Sequence, residues 1–376
     1  MVRILVNLSI IQSGGGLQIA HSFLNEISQL SGHRFCILMS PSVAASVGEI
    51  NFNDDFVSYT ISPSPSQMWK HRHTLAILNA IEKRFGPDVV FTLFGPSYWK
   101  PQSLHVCGFA LAQHLYKESP YFRIISSKER FLLKIKEVIK MRSFRRDCNY
   151  WITETKDVAD RLSDRLKVPR TKVFTVSNVY NQVFDQQSRW KEPVLPSLKG
   201  FKLITISTFH LHKNLTIIPP VIDYLTSRYP RFEFTFILTV DLTRFSNLSD
   251  RHKRHLVFLG EVSIDECPCL YGRSDALFMP TLLECFTVSY LEAMKMRVPI
   301  LTSDLPFAHS ICGDAAVYFD PLNPEHIGDI IYSVANNIAL LDGLVDKGKK
   351  RLSMFGTAKS RAQAYLDILE GVRNGN

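Results

Sequence analysis

Pro280-Thr-Leu-Leu-Glu-Cys-Phe-Thr-Val-Ser-Tyr-Leu-Glu-Ala-Met294 sets two glutamates, Glu284 and Glu292, eight positions apart around a turn that leads into a helix. Just upstream, Asp275-Ala-Leu-Phe-Met279 reads as a short buried strand, and Thr281 to Phe286 as the loop that follows it. A helix is predicted from near Thr287, because Tyr290, Leu291, Met294 and Met296 fall at helical spacing. Glu284 then stands in the loop beside the helix N-terminus, with Glu292 about two turns inside. At ~1.5 Å of rise per residue the two carboxylates are about 10 Å apart. Between them lie the unpaired amides of the helix start, around Phe286, Thr287 and Val288, which favour anionic oxygens. A carboxylate at each end of an anion site suits a sugar, a diphosphate and a ribose in line. The plainer alternative is a surface helix with one acid stabilised at its start by the dipole and another facing solvent.

The rest of the chain alternates strand-like and helix-like segments. Strands are expected at Arg3 to Leu8, Arg34 to Met39, Val89 to Leu93, Leu104 to Phe109, Tyr150 to Thr153 and Lys172 to Val176. Helices are expected at Leu17 to Leu30, His73 to Phe85 and Lys156 to Leu166. Between Asp185 and Lys199 the pattern breaks into a stretch with two prolines and no period, which reads as a linker. A second alternation follows, with strands at Lys202 to Ser207, Glu233 to Thr239, His255 to Leu259, Ala276 to Met279, Pro299 to Thr302 and Ala316 to Phe319, and a helix around Ile217 to Arg228. Continuous apolar strands alternating with helices predict α/β domains with parallel sheets covered on both faces. The expected division is an N-terminal Rossmann-like domain over 1–185, a linker over 186–199, a C-terminal Rossmann-like domain over 200–354, and a final helix over 355–376 that packs back on the first domain. In such sheets ligands bind beyond the carboxyl ends of the strands.

The glutamate stretch resembles the donor-site motif of retaining glycosyltransferases of family 4, in which two glutamates separated by seven residues are followed by Ala-Met and a short strand. Arg297-Val-Pro-Ile-Leu-Thr-Ser-Asp304 is similar to the family's follow-on strand, and Cys312-Gly-Asp-Ala-Ala-Val-Tyr-Phe-Asp-Pro321 to its Gly-Asp-Ala…Asp-Pro segment. The resemblance covers essentially the whole chain and implies the GT-B fold: two doubly wound Rossmann-like domains facing a cleft. It also implies transfer of a sugar from a nucleoside diphosphate sugar to a glycan or lipid-linked acceptor, with retention, as in bacterial O-antigen or capsule synthesis. On that reading Glu284 contacts the donor sugar and Glu292 the ribose hydroxyls. Phe286, Thr287 and Val288 offer amides to the diphosphate. Gly15 and Gly16, in Ser13-Gly-Gly-Gly16 after the first strand, match the family's glycine-rich loop near the donor phosphates. The glycines also fit an ordinary strand-to-helix turn.

Lys213, in Ser207-Thr-Phe-His-Leu-His-Lys-Asn214, is aimed at the diphosphate as a mobile ammonium. Family members commonly carry an arginine five residues before this lysine. Here that place holds Thr208, which leaves His210 or His212 to help neutralise the phosphates. His114 matches a histidine that related enzymes set near the donor sugar or acceptor, whereas His105 lies within a strand and reads as structural. Ser177-Asn-Val-Tyr-Asn181 reads as a turn. No Asp-x-Asp occurs, which fits a metal-independent reaction in which Lys213 and helix starts take over the role of a cation. Cys267-Pro-Cys269 lacks the spacing and second pair of a zinc site. Rival readings are a nucleotide-sugar epimerase on the same fold, or a non-catalytic membrane- or sugar-binding scaffold.

At 45% hydrophobic and 21% charged, the chain has the composition of a soluble globular protein, and no apolar run reaches the ~18 residues of a membrane span. Its N-terminus reads as a first strand and not as a signal peptide. Seven scattered cysteines suggest no disulfide framework and point to a reduced, cytoplasmic setting. The net charge of +9 is uneven: from Lys117 to Tyr150 ten basic residues face four acids, a local +6. There Phe131, Leu132, Ile135, Val138 and Ile139 form one helical stripe flanked by lysines. Such a helix either packs on its own domain or lies on an anionic membrane surface, and the latter predicts a peripheral protein at the inner face of the cytoplasmic membrane. No zinc-finger or RNA-binding sheet signature accompanies the charge, so nucleic acid is not expected as a partner.

Overall fold

The computed structural model of the protein describes residues 1–48, 50–67 and 71–375. Asn376, the last position of the expected C-terminal segment, lies outside them. Two compact units emerge. The first comprises 1–115, 126–178 and 356–376, and the second 116–125 and 179–355.

In the first unit seven parallel strands run β1 (Val2–Leu8), β2 (His33–Met39), β3 (Phe56–Thr60), β4 (Val89–Thr92), β5 (Leu104–Gly108), β6 (Tyr150–Thr153) and β7 (Val173–Thr175). Their order in the sheet is β3-β2-β1-β4-β5-β6-β7. β1 is Val-Arg-Ile-Leu-Val-Asn-Leu, buried at all positions but Arg3, as a central parallel strand covered on both faces must be. Helices Gly15–Ile27 and Ala358–Arg373 pack over one face, where Phe23 meets Tyr365 edge-on at 5.5 Å between ring centres. A polar chain crosses the sheet beneath its carboxyl edge. Asn7 donates to Thr92 Oγ1 (3.2 Å), Thr92 donates to His105 Nε2 (2.8 Å), and His105 Nδ1 donates to the Asp147 carbonyl (2.6 Å). Burial pushes the His105 pKa down to about 4, so the ring is neutral and serves structure.

In the second unit six parallel strands are β8 (Phe201–Thr205), β9 (Phe234–Leu238), β10 (Leu256–Phe258), β11 (Ala276–Met279), β12 (Ile300–Ser303) and β13 (Ala316–Phe319), ordered β10-β9-β8-β11-β12-β13. The core lies between this sheet and helices Ile218–Arg228 and Pro324–Ala335. In both sheets the order reverses between two central neighbours, β1 and β4 in one and β8 and β11 in the other, and loops at such a reversal part to leave a crevice.

Residues 179–185, assigned from sequence to the first domain, belong to the second unit. Val183 and Phe184 are buried there, with Phe184 5.9 Å from the Tyr271 ring, and apolar anchoring decides membership. The expected linker is also fastened: Trp190 Nε1 donates to the Val183 carbonyl (2.8 Å) and Arg189 pairs with Asp265 (2.8 Å). Tyr116–Ile125 likewise leaves the first unit for the second, a crossing with no signal in the sequence. β3 was not expected, because Phe-Val-Ser-Tyr-Thr is half exposed and lies at the sheet edge.

Candidate active site

The loops after β8 and β11, on either side of the reversal in the second sheet, bring the sequence-predicted Lys213 and Glu284 together. Lys213 ends a short turn, Leu211–Lys213, and its Nζ donates to Glu284 Oε1. Both side chains are largely buried, at 17% and 16% exposure, so the pair is shielded from water far more than a surface ion pair. Thr281 Oγ1 lies 3.4 Å from the same carboxylate oxygen, and His212 Nε2 3.9 Å away. Burial lowers the His212 pKa; Glu284 opposes the shift, while Lys213 and His210 add to it. His210 stacks on His212 at 5.6 Å, and Tyr121 meets His212 edge-on at 6.4 Å. The two histidines that sequence left as alternatives beside Thr208 are therefore unequal: His212 faces the pair, and His210 leans on His212.

The loop that carries Glu284 is tied to the loop that carries Lys213. Leu282 N donates to the His212 carbonyl (2.7 Å), as does Thr281 Oγ1 (3.1 Å). Four residues past Glu284 begins helix Val288–Lys295, capped by Thr287 in extended conformation. Thr287 Oγ1 is buried and has no hydrogen-bond partner among the described residues. An orphaned hydroxyl beside first-turn amides is a ready place for an anionic oxygen. Phe286 and Val288 flank it, Phe286 buried against Phe355 at 6.1 Å.

Glu292 sits on the inner face of this helix, 7% exposed, and accepts from Tyr271 Oη at 3.1 Å. Burial raises its pKa from 4.5 to about 7, with the Tyr271 hydrogen bond opposing. The solvent-facing carboxylate of the plainer alternative does not hold: Glu292 is buried, with a pKa of about 7.

The remaining candidates lie in the first unit. Gly14, at φ 69, caps helix Gly15–Ile27 and is the glycine whose backbone requires the residue. A Cβ at Gly15 would meet open space, and at Gly16 ordinary contacts with Ile11 and Phe94 at 3.6 and 3.8 Å. His114 is 1% exposed at the end of the Ala112–His114 turn. Asn178 accepts from buried Arg361, so the expected turn is also an anchor. Among the described residues one cluster has metal-ligand chemistry, His105, Cys107 and Cys148, with ligand atoms within 4.8 Å. Both His105 ring nitrogens are already hydrogen-bonded, and burial raises the Cys148 thiol pKa, so the cluster is core. Sequence reasoning missed Tyr271, Ser119 and Tyr121, which come from elements whose place beside the site depends on the tertiary fold.

Residues 186–351 match the family described as glycosyl transferases group 1, a range that contains Lys213, Glu284 and Glu292. The similarity to that family thus covers somewhat under half of the chain. The O-antigen chain mannosyltransferase RfbU of Salmonella typhimurium is 27% identical over 231 residues, 57% of this chain and 59% of that protein. The chain thus spans about three fifths of the length of this relative. A glycosyltransferase from Rickettsia africae superposes with a TM-score of 0.72 at 13% identity, over 99% of this chain and 98% of that one. Anabaena HepE, solved in complex with UDP and glucose, gives 0.69 at 12% identity, over 99% and 100%. At such identities the likeness is one of fold: two parallel-sheet α/β units arranged in sequence as in the GT-B fold, with the matched range 186–351 lying within the second unit.

Proposed function

We propose that the protein is a retaining glycosyltransferase that moves a hexose from a nucleoside diphosphate sugar to a glycan or lipid-linked acceptor in O-antigen-type surface polysaccharide assembly. The observation that carries this reading is the Lys213–Glu284 pair, set at the reversal of the second sheet beside the Val288–Lys295 helix start with its orphaned Thr287 hydroxyl. On donor binding, Lys213 turns to the diphosphate, and Glu284, released from it, faces the sugar and stabilises positive charge at the anomeric carbon. The helix-start amides and Thr287 take the phosphate oxygens, so negative charge developing on the leaving group meets preorganised donors without a metal ion. Glu292 holds the ribose hydroxyls. No side chain here is assigned as a carboxylate nucleophile, so attack on the same face as departure is the mechanism proposed. His114 is assigned to the donor sugar or acceptor, and Gly15 and Gly16 to the donor phosphates.

The acceptor's setting is supported by helix Ser127–Asp147. Phe131, Leu132, Ile135, Val138 and Ile139 are all exposed, between 44% and 66%, beside lysines and arginines. No helix among the described residues is long and apolar enough to cross a membrane. We assign this helix to an anionic membrane surface at the cytoplasmic face.

The test is purified protein against UDP-, GDP- and dTDP-sugars, with slow donor hydrolysis and the anomer of the product as readouts. One donor should be consumed with retention, in EDTA as well as in magnesium. Glu284→Gln should lower kcat by about a hundredfold or more, and Glu292→Ala should chiefly raise donor KM. Equal and mild effects of both changes, or inversion, would refute the assignment.

A further inference from the structure

Tyr116–Ile125 departs from the first unit after β5 and returns to it at the start of helix Ser127–Asp147, and in between it is part of the second unit. At its centre Ser119 is 5% exposed. The strap is folded on itself there: Ser119 N donates to the Tyr116 carbonyl (3.1 Å) and Tyr121 N donates to Ser119 Oγ (3.1 Å). Ser119 Oγ in turn donates to the Leu282 carbonyl at 2.6 Å, a buried bond across 163 positions of sequence. The N–H of Leu282 is held by His212 O at 2.7 Å. Leu282 is thus fixed through both of its backbone polar groups, on one side by the strap and on the other by the loop that carries Lys213. Glu284 is two residues further on.

We propose that Ser119 is a positioning residue of the donor site, whose hydroxyl fixes the Leu282 backbone and through it the direction in which the Glu284 carboxylate points. The strap is therefore a component of the donor site supplied from within the other half of the sequence. The inference rests on the reading of Glu284 as the carboxylate that faces the donor sugar. Without the hydroxyl, a buried carbonyl loses its donor and Leu282 keeps only its N–H tie to the His212 carbonyl. Displacing a reacting group by about 1 Å costs on the order of a hundredfold in rate. The diphosphate, held by Lys213 and the helix start, does not depend on this tie, so the effect falls on kcat and not on donor binding.

Ser119→Ala and Ser119→Thr, each in the full chain, separate the possibilities through two readouts. The first is amide hydrogen exchange in protein without substrate. Ser119→Ala should speed exchange across 281–287 and leave β12 unchanged, and Ser119→Thr should restore it. The second is turnover of whichever of UDP-glucose, GDP-mannose or dTDP-rhamnose the wild type hydrolyses fastest. There kcat should fall between about tenfold and a hundredfold in Ser119→Ala, with donor KM within about twofold and recovery in Ser119→Thr. Unchanged exchange in 281–287, a rise in exchange spread evenly through the second unit, or an unchanged kcat overturns the proposal. If the wild type turns over no nucleotide sugar at all, the glycosyltransferase reading fails by itself, and exchange alone still decides whether Ser119 holds the loop.

Discussion

Glu292 lies where burial works against its charge. Its carboxyl accepts from the Tyr271 hydroxyl, its charge acts on the Cys267 thiol, and its pKa is raised to about 7 by loss of water. A raised folded-state pKa means that the folded chain holds its proton more tightly than the unfolded one. The stability this supplies is complete below about pH 4.5 and is lost as pH climbs to about 7. At about 1.4 kcal/mol per pH unit the loss is roughly 3 kcal/mol. Glu292→Gln, neutral at every pH, should match the wild type in thermal melts at pH 5 and exceed it at pH 8. An equal gap at both pH values would show that Glu292 is not charged by burial-resisted ionisation. The residue itself was legible in the sequence, since its spacing from Glu284 singled it out, but its environment was not. Tyr271 comes from a different helix, Cys267–Gly272, and only the packed fold brings it under the site. The Lys213–Glu284 pair is a similar case. Each was legible as a candidate, yet their contact depends on β8 and β11 being neighbours, which the strand alternation alone leaves open.

At the scale of elements, helix Lys156–Leu166 has the same bounds in sequence and structure, because its apolar positions recur cleanly and Thr155 caps it through Val158 N. The basic helix Ser127–Asp147 was legible in its charge and apolar stripe, but neither its start nor its buried face was, since the basic stretch read from Lys117 includes a segment of the second unit. Glu137, Met141 and Phe144 turn inward, with Arg165 Nε 3.1 Å from Glu137. At about 100° per residue that face lies opposite Phe131, Leu132, Ile135, Val138 and Ile139. The stripe that would by ordinary amphipathic logic pack on the domain is instead the exposed one, and the membrane proposal rests on that exposure. Each Lys or Arg near an anionic surface contributes about 1 kcal/mol, screened by salt. Binding to vesicles should therefore rise with the fraction of anionic lipid and weaken as salt increases. Lys134→Glu, Lys136→Glu and Lys140→Glu together should release the protein while donor hydrolysis is kept. Failure of the wild type to sediment with anionic vesicles at low salt would remove the assignment.

At the scale of the molecule, the chain closes its first unit with its last helix. Ala358–Arg373 supplies Ala362, Tyr365, Leu366, Leu369 and Val372 to the core that β1 and helix Gly15–Ile27 begin. Arg361 is 4% exposed within this contact, donating to Asn178 Oδ1 and, at 2.9 Å, to Ser22 Oγ, while the charges of Glu154 and Glu26 act on it. One guanidinium thus joins the first helix, the end of the first unit's second segment and the C-terminal helix, parts separated by up to 339 positions. Removing one member of a buried charge network leaves the others uncompensated, at a cost of about 3–5 kcal/mol, and only replacement of all its charged members by well-packed apolar residues is often nearly neutral. Arg361→Ala should therefore lower stability by about 3 kcal/mol or more, and Arg361→Met, which restores packing but leaves the same carboxylates without their cation, should also be clearly destabilised. The loss should be local. Hydrogen exchange ought to rise through β1, β2 and β4 and stay at wild-type rates in β8, β9 and β11, because the second unit has its own core. Equal acceleration in both sheets would show that the two units unfold as one, and a neutral Arg361→Ala would show that the apolar residues of the last helix suffice to hold it in place.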